Sequence, residues 1–92
     1  MAGLWYVSFH GGEGRHEWNN IHRFSPAGEH LGGALDRESL PKGLKLREPR
    51  GFRFGPDGDL YLANAYKDRS QILRFHGRPD GEGKHAFRGV FT

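Results

Sequence analysis

The chain has 92 residues, no cysteine, and fourteen Lys and Arg against eleven Asp and Glu, a formal charge of +3. Lacking cysteine, it is not a disulfide-stapled miniprotein, and at this length it makes one small domain at most, burying about 60–65% of its unfolded surface. The basic residues are scattered among acids rather than clustered, so a solvated surface is the expectation and a nucleic-acid partner the alternative.

Fifteen glycines and five prolines in so short a chain point to many turns joining short strands. Leu4 to Phe9 is apolar but runs at once into His10, Gly11 and Gly12, too short for a targeting segment, and no run approaches a membrane span. These features predict a soluble chain, with the cytoplasm as the favoured compartment. Strands are expected at Tyr6-Val7-Ser8, Ile21-His22-Arg23-Phe24 and Leu31-Gly32-Gly33-Ala34-Leu35. A polar connection follows from Asp36 to Arg50. Its Leu40-Pro41-Lys42-Gly43 stretch argues against a continuous helix, although Asp36 to Leu40 has room for one turn.

The most specific local signal is Gly55-Pro56-Asp57-Gly58 between Gly51-Phe52-Arg53-Phe54 and Asp59-Leu60-Tyr61-Leu62-Ala63-Asn64. Proline presets φ for the first turn position, Asp57 bonds back to the backbone, and Gly58 accepts the positive φ that closes a hairpin. Gln71 to Phe75 and His85 to Phe91 read as a third and a fourth strand. Leu60 and Leu62 point to one face and Tyr61 and Ala63 to the other, as a sheet with neighbours on both sides requires.

The plan occurs twice. Tyr6-Val7-Ser8 lies over Tyr61-Leu62-Ala63, Ile21 to Phe24 over Ile72-Leu73-Arg74-Phe75, and Leu31 to Leu35 over Phe87-Arg88-Gly89-Val90-Phe91. The first copy has no counterpart of Gly51 to Phe54, and it carries four extra residues between its second and third strands. Repetition at about this period marks a propeller or an array. The expected organisation is a three-stranded unit over 1–35, a connection over 36–50 and a four-stranded unit over 51–92.

Residues 49 to 64, with Ser70 to Phe75, resemble a blade of the NHL-repeat type, and also units of six-bladed regucalcin-like lactonases and bacterial streptogramin lyases. The likeness covers nearly all of 49–92 and, more faintly, 4–35. It implies an all-β fold of two β-propeller blades, the first lacking its inner strand, and many unrelated activities share that repeat. Arg53 departs from the family pattern, which has a small apolar residue there. An ion pair with a facing carboxylate is the default for it and a ligand contact the alternative.

Two blades do not close a ring, and apolar patches from Phe52, Phe54, Leu60, Leu62, Ile72, Phe75 and Phe87 are expected to face water. The expected partner is the chain itself, three or four copies closing six or eight blades through heterologous contacts. The alternative is that the chain is a piece of a longer or engineered propeller.

Candidate chemistry lies in two loops. His10, His16 and His22 fall within thirteen positions together with Glu13 and Glu17, and neutral imidazoles bind zinc or nickel. The zinc-protease spacing is absent, because the fourth position after His16 is Asn20, and a solvated loop with incidental histidines is the default. In the matching loop of the second copy stand Asn64, Tyr66, Lys67, Asp68 and Arg69. Regucalcin-like enzymes hold a divalent cation with asparagines and carboxylates on that rim, and only Asn64 and Asp68 fit the pattern. The simpler reading makes Asn64 a turn-capping amide. Trp18 and Tyr66, with Arg15 or Arg69 near in sequence, suit stacking on a sugar or a base, while strand aromatics such as Tyr6 belong to the core.

No catalytic set is assigned. The reading is a non-catalytic, self-assembling scaffold or a surface for a small molecule, glycan or protein, with Trp18, Arg53, Asn64, Tyr66 and Arg69 as ligand candidates. No cofactor is expected beyond a calcium or zinc alternative at His10, His16 and His22. The rival functions are a fragment of a metal-dependent lactonase-like or lyase-like enzyme, and RNA binding by a basic loop rim.

Overall fold

A computed structural model describes residues 3–11, 14–65 and 69–92, which form an all-β molecule of two antiparallel sheets, neither of them closed. β1 (Trp5–Phe9), β2 (Asn20–Phe24) and β3 (His30–Gly33) make the first sheet. β4 (Glu48–Phe54), β5 (Leu60–Ala65), β6 (Gln71–Phe75) and β7 (Phe87–Val90) make the second. Within each sheet every strand pairs with the next along the chain, the arrangement that short connections favour. Two 3-10 turns, His16–Trp18 and Arg37–Ser39, lie in the connections. The second is the turn expected after Asp36, whose Oδ1 accepts the Glu38 N–H at 3.1 Å.

One five-residue turn is used three times. In Gly55 to Asp59 the Gly58 N–H donates to the Gly55 carbonyl at 2.9 Å and the Gly55 N–H to the Asp59 carbonyl at 2.8 Å. Ser25 to Glu29 and Asp80 to Lys84 carry the same two bonds. The fourth residue is in each case a glycine at positive φ, Gly58 at 85°, Gly28 at 93° and Gly83 at 81°, where a side chain is disfavoured. The hairpin signal at 55–58 is thus one instance of a device that recurs at 25–29 and 80–84 with less distinctive residues.

The repeat extends to the pairing register. Tyr6 stands opposite Arg23 as Tyr61 stands opposite Arg74; Val7 opposite His22 as Leu62 opposite Leu73; Ser8 opposite Ile21 as Ala63 opposite Ile72. The last strands also correspond, but one residue away from the expected match. Gly32 faces Arg23 and Gly89 faces Arg74, and the register breaks just beyond, between Arg23 and Phe24 and between Arg74 and Phe75. Gly32 therefore corresponds to Gly89 rather than to Arg88. The expected strands Leu31 to Leu35 and His85 to Phe91 are corrected too: β3 ends at Gly33, β7 begins at Phe87, and Leu35 forms a single parallel bridge with His85 outside both strands.

That bridge joins the sheets. The His85 N–H donates to the Ala34 carbonyl at 2.7 Å, the Asp36 N–H to the His85 carbonyl at 2.9 Å, and the Phe87 N–H to Ser39 Oγ at 2.7 Å. His85 is buried; its Nδ1 donates to the His76 carbonyl at 2.7 Å, and Nε2 lies 3.1 Å from the Tyr6 hydroxyl. Because a carbonyl only accepts, Nδ1 carries a proton.

Between the sheets Ile21, Ala34 and Leu35 of the first half form one buried cluster with Leu60, Leu62, Leu73 and Phe75 of the second. This corrects the expected exposed patch: Leu60, Leu62 and Phe75 are fully buried under the first sheet, and Phe52, Ile72 and Phe87 are half-buried. The polar connection also contributes, for Leu46 is buried in the same core and Leu40 and Leu44 pack against it. Of the expected patch only Phe54 is left in water, at 47% exposure, and it is joined by Trp5 at 63%, Val7 at 40% and Phe91 at 61%.

Candidate functional site

Successive side chains on a strand alternate between faces, so the register divides each sheet into an inner and an outer surface. On the first sheet the row holding Tyr6 and Ile21 meets the core, and the row holding Trp5, Val7, His22 and Phe24 faces outward. On the second, Leu60, Leu62, Leu73 and Phe75 face inward, and Tyr61, Ala63, Ile72 and Arg74 outward.

Part of the outer face of the first sheet is covered by its own insertion. The 3-10 turn brings the Trp18 ring 4.8 Å from His22, 5.7 Å from Phe9 and 5.5 Å from His30, on which it stacks at 24°. The Arg15 guanidinium lies 5.8 Å above Trp18, a cation–π arrangement. His22 is buried beneath this group; its Nε2 donates to the Trp18 carbonyl at 3.0 Å, and its Nδ1 is 3.0 Å from His30 Nε2. With Nε2 as donor, Nδ1 of the neutral ring accepts from His30. Burial holds the His22 imidazole below its ordinary pKa, the Trp18 carbonyl opposes this, and the His30 and Arg37 charges depress it further.

A ring kept neutral by folding contributes its full stability above its ordinary pKa, about 6.5, and that contribution is lost as pH falls through the lowered folded value. The urea midpoint is expected to fall between pH 7.5 and 5, and His22→Gln to flatten this part of the curve. Equal slopes for the two proteins would contradict the assignment.

The other outer face is a shallow groove lined by Gly51, Arg53, Tyr61, Ala63 and Ile72. Beside it Asp57 and Asp59 clamp the sheet end. Asp59 is buried and accepts from Arg74 Nε and Arg88 Nη1, each at 2.8 Å, and from the Gly77 N–H at 2.9 Å. Asp57 Oδ2 accepts from the Tyr61 hydroxyl at 2.6 Å and Arg74 Nη2 at 3.0 Å. These bonds, the Gly77 N–H first for Asp59 and the Tyr61 hydroxyl first for Asp57, hold both carboxyls below the usual range.

Arg53 takes no part in this clamp: it is exposed and forms no ion pair among the described residues, which corrects the expected pairing with a carboxylate. Asn64 is buried with both ends of its amide used on backbone. Its Oδ1 accepts the Arg47 N–H at 3.0 Å and its Nδ2 donates to the Lys45 carbonyl at 2.9 Å. Arg69 is exposed beside a cleft of about 280 Å³ shared with Lys45 and Arg47. Tyr66, Lys67 and Asp68 lie outside the described residues. His10 and His16 are exposed, His16 lining a cleft of about 410 Å³ with Arg37, Leu40 and Leu46. Among the described residues no three His, Asp or Glu side chains gather as a metal ion would need, so His10, His16 and His22 do not form such a group.

Two structural residues had no sequence signal of their own. Asn20 latches the chain to Leu35, its Nδ2 donating to the Leu35 carbonyl at 3.2 Å and its Oδ1 accepting the Leu35 N–H at 3.1 Å. His85, in a run read simply as a strand, ties the sheets together. Comparison with family models, with curated proteins and with solved structures gives no match to this chain.

Proposed function

We propose that the chain is a non-catalytic pair of β-propeller-like blades that works as a self-assembling scaffold. The observation carrying this reading is that both outer faces of the two-sheet stack present large apolar side chains to water, with Trp5 and Val7 on one and Phe91 packed edge-on against Tyr61 on the other. The accessible surface supports it: 6193 Å², against about 5,400 Å² for a compact monomer of 10.4 kDa. The strand edge of β1 adds a second incentive, because among the described residues β1 pairs only with β2, and unpaired edge groups invite a further strand.

The resemblance of residues 49–75 to NHL-repeat blades supports the same reading, since such blades are stable when flanked by others. The solution mass tests it. Sedimentation equilibrium at micromolar concentration is expected to give an assembly of three or four chains, and a monomer throughout that range would overturn the scaffold function.

A further inference from the structure

The chain's internal repeat carries a sharper statement about how copies meet. Within one molecule the row Tyr6, Ser8, Ile21 and Arg23 of the first sheet lies on the side of the row Leu60, Leu62, Leu73 and Phe75 of the second. The pairing register makes Tyr61, Ala63, Ile72 and Arg74 the counterparts of the first row, and Trp5, Val7, His22 and Phe24 the counterparts of the second. Both of these counterpart rows face outward. A molecule therefore has one inter-sheet interface made and two further faces on opposite sides of the stack, the first sheet's being open at Trp5 and Val7 and covered at His22 by Trp18.

We propose that the outer face of the second sheet, centred on Ala63 and Ile72, seats on the outer face of the first sheet of another copy, centred on Trp5 and Val7. The occupant is a second copy of this chain, because the contact continues in register the interface already made inside each molecule, with Tyr61, Ile72 and Arg74 repeating Tyr6, Ile21 and Arg23. Arg53, without an ion-pair partner among the described residues, lines the edge of this groove. Such pairing is heterologous, each copy using a different face toward its two neighbours, and it closes into a ring when the rotation per copy divides the circle.

This inference rests on the self-assembly reading, and the experiment separates the two. Val7→Glu blocks only the first face and Ala63→Glu only the second; both positions are exposed. Each variant alone is expected to sediment as a monomer. An equal mixture is expected to form a 1:1 pair of about twice the subunit mass, because each variant retains the face the other lacks. If either variant alone assembles as the parent does, or the mixture stays monomeric while the parent assembles, the heterologous pairing is overturned and self-assembly survives. If the parent is itself a monomer, both readings fall. Should a glutamate variant lose its β-sheet circular dichroism, Val7→Lys and Ala63→Lys repeat the test.

Discussion

Phe75→Ala is expected to cost about 3–5 kcal/mol, the largest effect of any single side chain here. Phe75 is fully buried on the inner face of the second sheet, opposite Leu60, with its ring edge-on to Phe87 at 5.7 Å. Truncation removes the transfer energy of the ring and leaves a cavity that two sheets pinned at the His85 bridge cannot easily close. A domain of this size has about 5–15 kcal/mol in all, so the variant should lose a large part of its urea resistance and unfold at a much lower denaturant concentration. A midpoint close to the parent's would show that the core does not lie between the sheets.

Gly77→Ala is expected to destabilise by about 3 kcal/mol, for a different reason. A Cβ at this position would overlap the Gly58 carbonyl oxygen and sit 2.7 Å from its carbon and 3.1 Å from Asp59 Cα. These are backbone atoms, so no side chain can turn aside. Relief requires moving either the Gly55–Gly58 turn or the Gly77 N–H, which donates to Asp59 Oδ1 at 2.9 Å, and the Asp59 clamp on Arg74 and Arg88 loosens with it. Thermal melting should drop by about 15 °C. Gly81→Ala is the control: a Cβ there meets nothing within 4 Å, and its melting temperature should stay within about 2 °C of the parent's. Equal losses at the two sites would indicate a general glycine effect instead of the predicted overlap.

Those two positions also show where local reading succeeds and fails. The Gly55-Pro56-Asp57-Gly58 turn was legible because its chemistry lies within four residues, and the doubled strand pattern because side-chain alternation is local as well. The last-strand match went wrong by one residue because Gly32 and Gly33 stand side by side and only the pairing with Arg23 and Arg74 selects Gly32 as the counterpart of Gly89. Asn64 was legible as a backbone-satisfying amide, but its partners at Lys45 and Arg47 lie 19 and 17 residues away. Asn20 and His85 went unnoticed for the same reason: their partners come from the other end of a half or from the other sheet.

What the amino-acid order determined by itself is the all-β class, the strand sequence and the repeat, since turn chemistry and period-two alternation act over a few residues. Which of two apolar faces on each sheet became core was a tertiary decision. Leu60 and Leu62 alternate with Tyr61 and Ala63, and either row was apolar enough to bury until the first sheet, fastened through Leu35 and His85, came down on one of them. Burial depends on what covers a surface, and among the described residues the two outer rows are covered only in part, His22 by Trp18 and Tyr61 by Phe91.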